Sequence, residues 1–371
     1  MRVQVSPSAP MKIPLIIIVG PTATGKSDLA VHIARSMKDS HGKPRGEVIS
    51  ADSRQVYKGL DIGTGKITKS EMKGIAHHLL DVADPRIPAN STERFNVEKW
   101  QSMATQAIAE IHTRGHLPII CGGTGFYIEA LVDGVILPEV PPNPSLRTKL
   151  EKKSAAQLFA MLTKIDPKRA QAMLGKIEEK IGTTKKIVDF SKTSKSNGDW
   201  QNPRRIIRAI EIATALGAVP TISKIKKTDS PYSPVFIGLT LPPEELKKKI
   251  TTRLEKRLKH GMLAEVIRLH KSISNGGGGL SWKRMEELGL EYRYLARYLQ
   301  DASRTKSASE ARELYAKMIE TLAGEIWQYA RRQMTWFRRD ARIHWFIASD
   351  LKQKQYRTKD LTKVLNMVKY N

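Results

Sequence analysis

Over its first third the chain alternates apolar, β-branched runs with segments of helical periodicity. Residues 15–19 (LIIIV) are unbroken and apolar and stop at Gly20; from Lys26 apolar positions recur at three- and four-residue steps as far as Ala34. That change of period predicts a strand, a loop and a helix. A short strand over 47–50 leads into a polar loop near Asp52, and 77–82 (HHLLDV) reads as another strand. Residues 95–114 are helical and close on Arg-Gly. Next come a buried strand at 117–121 (LPIIC), the loop Gly122-Gly123-Thr124-Gly125 and a helix from near Phe126. Strands separated by helices predict an open parallel sheet that gathers ligands at the carboxyl ends of its strands.

The texture changes at Pro138. PEVPPNPS is a proline-rich boundary, and the chain to Asn202 is helical, basic and serine-rich, with a polar, weakly periodic stretch at 176–199 that reads as a loop. Asn202-Pro203 opens a further helix. Strand character returns at 236–241, followed by a helix from Pro242 to about His270, a loop at 275–279, and helices over 285–299 and 307–337. Trp345 and Phe346 close a last strand. The predicted organisation is an α/β core from 13–138 and 203–346, with an inserted helical module at 139–202. Residues 1–12 read as a disordered extension, with Met11 as an alternative start, and 347–371 as a tail.

Composition adds a partner. The 371 residues hold 63 Lys+Arg against 37 Asp+Glu, a net charge of +26. Such an excess points to a polyanion, nucleic acid first; the alternative is a solvated basic surface, since lysines cluster in tracts such as 247–249. The single cysteine, Cys121, excludes an intrachain disulfide and any Cys-based zinc cluster and points to a reducing compartment. Within LPIIC it reads as a buried structural thiol. No apolar stretch approaches membrane-spanning length, so a cytoplasmic, membrane-free monomer is the expectation.

The candidate chemistry lies at the ends of the predicted strands. Gly20, Gly25, Lys26 and Ser27 fill the fixed positions of G-x-x-x-x-G-K-[ST] between a strand and a helix, the context a phosphate loop requires. Glycine lets the backbone wrap so that N–H groups face phosphate oxygens, Lys26 adds a point charge, Ser27 offers a hydroxyl to Mg²⁺, and the helix start turns its positive end to the anion. Asp52 sits at another strand end, as a base or as the cap of its own turn. Thr124 either joins this site or caps the following helix. Arg204 and Arg208 share a helix face, suited to adjacent phosphates or to pairing with Glu211. Arg253 and Arg257 have the same spacing. In 328–340, Arg331, Arg332, Arg338 and Arg339 surround Trp336 and Phe337, a mix that suits stacking on nucleic acid or packing of the helix. His77 and His78 read as one core and one surface residue.

Several stretches together resemble one family. GPTATGKS (20–27), ISADSRQVYKGLDIGTGK (49–66), HHLLDV (77–82), ICGGTGFYIEAL (120–131), NPRRIIRAIEI (202–212), KKKITTRLEKRLKHGMLAEV (247–266), LGLEYR (288–293) and ARRQMTWFRRD (330–340) resemble, in order, segments of the bacterial-type tRNA dimethylallyltransferases, also called tRNA isopentenyltransferases. The resemblance implies a P-loop NTPase-like parallel sheet and transfer of a dimethylallyl group from its diphosphate to the exocyclic amine of an adenosine beside the anticodon. It implies Asp52, Thr124, Lys26 and Arg253 as catalytic residues. Gly20, Pro21, Thr22, Ala23, Thr24, Gly25, Lys26 and Ser27 would hold dimethylallyl diphosphate, with Mg²⁺ as cofactor at Ser27. Asp52, Ser53, Arg54, Gln55, Thr124, Arg147, Arg204, Arg205, Arg208, Gly289, Tyr292 and Arg293 would meet the tRNA anticodon stem-loop. Extra polar sequence between IDPKRA and NPRR departs from the family pattern. The rival readings are an ATP-dependent P-loop kinase and a nucleic-acid-binding module with a regulatory nucleotide.

Overall fold

The run IPLIIIV (Ile13–Val19) is strand β1, and its last five residues are fully buried, as expected for a strand covered on both faces. This is a computed structural model that describes residues 12–88, 91–135, 137–174, 199–220, 230–271 and 278–369. Helix α1 (Lys26–Ser36) lays Leu29, Ala30, Val31, Ile33 and Ala34 on the sheet. Strand β2 (Gly46–Ala51), the single turn α2 (Lys69–Met72), strand β3 (His77–His78), helix α3 (Val97–Thr113), strand β4 (Leu117–Gly122) and helix α4 (Gly125–Val132) follow. Helices α5 (Pro144–Leu150), α6 (Ala155–Ile165), α7 (Pro167–Leu174) and α8 (Pro203–Leu216) come next. The chain then returns to the sheet with β5 (Tyr232–Thr240). Helices α9 (Pro243–Lys259), α10 (Met262–Lys271), α11 (Trp282–Leu288), α12 (Leu290–Ala302) and α13 (Ala308–Phe337) lead to β6 (Ile343–Ile347), α14 (Ala348–Gln353) and α15 (Lys359–Lys369). The six strands pair in parallel in the order β3-β2-β4-β1-β5-β6. Because β1 and β2 both border β4, the loops after all three leave one edge side by side.

Two compact units emerge. The first comprises Met1–Arg86, Phe95–Gly134 and Thr228–Asn371 and holds the sheet; the second comprises Ile87–Arg94 and Val135–Lys227. The inserted module is therefore longer than 139–202, and α8 belongs to it and not to the core. The reason is α8's apolar stripe: Ile206, Ile207, Ala209 and Ile210 close a separate core with Leu158, Phe159, Leu162 and Trp200. Glu211, on the same helix, is buried, and Arg147 grips it at 2.7 and 2.8 Å while the Asn143 N–H donates at 2.8 Å. Burial alone would raise the Glu211 pKa, but Arg147, the Asn143 N–H and Arg208 outweigh it and hold it below the usual carboxylate range. Glu211→Ala, which leaves Arg147 uncompensated, is expected to destabilise this unit by about 3 kcal/mol in denaturant unfolding. A loss below about 1 kcal/mol would mean that the pair holds nothing together.

Five other expectations change. The third strand ends at His78 because Leu79 (φ 62°) and Asp81 (φ 57°) take left-handed backbone. His77 and His78 are both half-buried; His78 bonds the buried Glu47 at 2.7 Å, and His77 bonds the Ile75 carbonyl at 2.9 Å. The helix predicted to run to His270 breaks at His260–Gly261, where Gly261 has φ 95°, and the one predicted over 285–299 breaks at Gly289 (φ 82°, ψ −178°). The tail is folded: in α15 Leu361, Val364 and Val368 are buried in the sheet unit's core. The predicted extension up to Met11, the polar stretch at 176–198 and loop residues 275–277 lie outside the described residues. No helix among the described residues is long and apolar enough to cross a membrane.

Candidate active site

The glycine loop expected to hold phosphate starts where β1 meets its neighbour β5. Gly20 has φ 142°, and a Cβ there would stand 2.3 Å from the Leu239 carbonyl oxygen, so no other residue fits this entry to the loop. Thr24 closes the turn by donating from its hydroxyl to the Pro21 carbonyl at 2.9 Å. Lys26 donates to the same carbonyl at 2.7 Å and has no carboxylate partner among the described residues. Burial lowers its pKa to about 8, with Arg253 adding to the fall and Asp52 opposing it. Burial likewise pushes the Cys121 thiol up to about 11, so it stays protonated beside Lys26, an inert residue as its sequence context predicts.

Three further side chains converge on this loop. From α9, Arg253 donates to the Thr22 hydroxyl at 3.3 Å and to the Gly65 carbonyl at 3.2 Å. Burial, then Arg257, lower its pKa against the opposing pull of Glu291, Asp52 and Glu71, and the buried guanidinium facing the loop makes no direct ion pair among the described residues. Asp52, just past β2, accepts the Arg54 and Gln55 N–H groups on Oδ1 at 2.8 and 3.3 Å, which leaves Oδ2 without a protein partner among the described residues. Asp52 thus caps its own turn, and that turn fixes where the second oxygen points. Thr124, just past β4, stands at the N-cap position of α4 but its hydroxyl does not cap the helix: it accepts the Ser53 N–H at 3.0 Å, and the Thr124 N–H donates to the Ala51 carbonyl at 3.1 Å. The two strand ends are laced together one residue from Asp52.

Residues 61–65 form the wall behind Arg253. Glu265 of α10, buried, accepts the N–H groups of Asp61, Ile62 and Gly63 at 3.2, 2.7 and 3.0 Å and the Tyr292 hydroxyl at 2.7 Å. Arg257 donates to the Gly63 carbonyl at 2.7 Å and pairs with Glu291 at 2.8 Å. Together they fix the carbonyl of Gly65 that orients Arg253.

Known proteins carry the same arrangement of segments. The IPP transferase family model matches residues 55–188 and 178–340. The tRNA dimethylallyltransferase 2 of Treponema denticola is 37% identical over 90% of this chain and 95% of its own length, and the tRNA dimethylallyltransferase of a Roseiflexus species is 36% identical over 92% and 96%. The chain belongs to the IPP transferase family. Among solved structures, the tRNA isopentenylpyrophosphate transferase of Bacillus halodurans shares 33% identity and a TM-score of 0.57, covering 97% of this chain and 95% of its own. The mixed α/β fold with its parallel sheet is the family's fold.

The residues expected to meet tRNA divide within this IPP transferase chain. Ser53 and Arg54 flank Asp52 and are half-buried, and a Cβ on Gly289 would stand 3.7 Å from Arg54 Nη2 and 4.0 Å from Arg293 Nη2, so these three lie together. Gln55 donates to the Gly65 carbonyl at 3.3 Å. Tyr292 does not present a side chain to a ligand: it is 2% exposed, burial and then Glu265 raise its pKa well above the usual tyrosine value, and its hydroxyl serves Glu265. In the second unit Arg204 and Arg205 are exposed, whereas Arg208 bonds Glu211 at 3.4 Å and Arg147 is engaged with the same carboxylate. At the end of α13 the aromatics are packed: Phe337 is buried and Trp336 meets Phe126 edge-on at 6.4 Å, leaving the four arginines exposed. The sequence reading missed Gln333 and Glu265 and noted Arg257 only for its spacing to Arg253. For both missed residues the signal was a polar residue on a buried helical stripe.

Proposed function

We propose that this chain transfers the dimethylallyl group of dimethylallyl diphosphate to the exocyclic N6 amine of the adenosine beside the anticodon of a tRNA and releases diphosphate. The observation that carries the reading is the lacing of the Asp52 and Thr124 strand ends beside a glycine loop whose two cations, Lys26 and Arg253, make no direct carboxylate ion pair among the described residues. The amine nitrogen forms a bond to the allylic C1 as the C1–O bond breaks, and the electron pair leaves on the diphosphate. Asp52 Oδ2 takes the proton that the weakly nucleophilic amine must lose. Lys26, Arg253 and the loop N–H groups meet the charge that grows on the leaving group. Thr124 orients the acceptor side beside Asp52.

Mg²⁺ fits this donor set. Ser27, in the first turn of α1 beside Cys121, carries the hydroxyl that would hold the ion, the remaining ligands being substrate oxygens and water. The ion would add charge stabilisation to the diphosphate. An ATP-dependent kinase finds no support: the named relatives are tRNA dimethylallyltransferases, and β4 ends in Gly122-Gly123-Thr124 where such kinases carry an acidic metal ligand.

The tRNA phosphates are met by arginines, the exposed Arg204 and Arg205 on the second unit and the half-buried Arg54 and Arg293 about Gly289 on the first. Arg204→Ala is expected to weaken tRNA binding and to make the slope of log affinity against log salt shallower by about 0.7–0.9, one phosphate contact. An unchanged slope would make Arg204 a structural residue. The reading itself is tested by incubating the protein with labelled dimethylallyl diphosphate, Mg²⁺ and unmodified tRNA. Label is expected on an adenosine beside the anticodon. Absence of label with consumption of ATP instead would overturn it.

A further inference from the structure

Helix α13 sets a polar residue on its buried stripe. Ile326, Ala330 and Phe337 are buried, and between them at the same spacing lies Gln333, 7% exposed. Burying a primary amide is unfavourable unless its groups are paired, and here both ends are. Gln333 Oε1 accepts the N–H of Thr22, within the phosphate loop, at 2.9 Å, and Gln333 Nε2 donates to the carbonyl of Gly123 at 3.0 Å. The partners fix the amide's orientation, since a backbone N–H requires the oxygen and a carbonyl requires the nitrogen. A Cβ on Gly123 would lie 2.1 Å from Nε2, so glycine is what admits the amide this close.

These bonds continue on both sides. Gly123 precedes Thr124, whose hydroxyl accepts the Ser53 N–H, next to Asp52. Thr22 carries the hydroxyl that receives Arg253. One carboxamide therefore ties the loop that grips the leaving diphosphate to the loop that sets the acceptor side, and no other described side chain hydrogen-bonds to both.

We propose that Gln333 is a positioning residue for the transfer reaction: it locks the phosphate loop to the Thr124 loop, so that donor and acceptor are held at one fixed separation. Small displacements of reacting groups are costly, about a hundredfold in rate for an ångström. Hydrophobic substitution of similar volume would keep the helix packed while releasing both loops.

The proposal rests on the prenyl-transfer reading for its kinetic readout, and the test combines Gln333→Met, Thr124→Ala and the double variant. Gln333→Met is expected to lower kcat tenfold or more, with the KM for tRNA within about threefold of the parent. Because Gln333 acts through the Thr124 loop, the double variant is expected to be no more than about threefold slower than the worse single variant. Losses that multiply, or a kcat within twofold of the parent, would overturn the proposal. If Gln333→Met does not fold, Gly123→Ala disturbs the same contact from the other side and takes its place in the cycle. Inorganic diphosphate binding by calorimetry separates the two readings: should the parent protein transfer no prenyl group, a fivefold weaker binding by Gln333→Met upholds the lock on the phosphate loop, and unchanged binding overturns it.

Discussion

Asp52→Ala is expected to lower kcat by about a thousandfold, within the range ascribed to a positioned general base, while tRNA affinity stays within about threefold. The proposed reaction gives Asp52 two separable duties. Its Oδ1 holds the N–H groups of Arg54 and Gln55 and so shapes the turn, and its Oδ2, without a protein partner among the described residues, would take the amine proton. Asp52→Asn tells them apart, because an asparagine carbonyl keeps the turn and an amide cannot accept the amine proton. Asn is therefore expected to be as slow as Ala yet to melt with the parent protein. Near-normal turnover by Asp52→Asn would reduce Asp52 to a turn-former, and a loss confined to tRNA binding would move it from the chemistry to recognition.

Much of this site was legible because its parts are local. A strand that stops at glycine, a loop of fixed spacing and a helix beginning at Lys26 can be read from a dozen consecutive residues, as can Asp52 and Thr124 at the ends of their own strands. What escaped the sequence depends on distance along the chain. Gln333 lies 311 residues from Thr22 and 210 from Gly123, and no local pattern links them. Glu265 and Glu211 interrupt otherwise apolar stripes, and such polar residues on a buried face mark long-range partners even when the partners are unknown. The helix breaks at Gly261 and Gly289 escaped for the opposite reason: apolar periodicity runs across them, and one left-handed glycine redirects the axis without disturbing the pattern. The boundary at 203 failed because an Asn-Pro helix start looks the same whichever core the helix serves.

Lys26 gives the second large effect, and its sign with pH is distinctive. Burial lowers the ammonium's pKa to about 8 from an ordinary 10.5, so the site before substrate binds holds a full positive charge only below about pH 8. For the parent protein, kcat/KM for dimethylallyl diphosphate is expected to fall on a limb with an apparent pKa near 8, since this parameter reports the free enzyme. A bound diphosphate restores the favourable partner for the ammonium, so the limb in kcat shifts to higher pH. Lys26→Met is expected to lose about a hundredfold or more in kcat/KM, the scale of one lost charge-stabilising donor, and to show no limb near pH 8. Lys26→Arg, always charged, should recover part of the rate with a flat profile over the same range. Stability runs the other way: between the folded and unfolded pKa values the unfolded chain binds more protons, so the parent gains stability as pH rises from about 8 toward 10.5. Lys26→Met should lack that gain and be the more stable protein below pH 8. A limb that persists near pH 8 in Lys26→Met would assign the titration to another group and leave Lys26 as a packing residue of its loop.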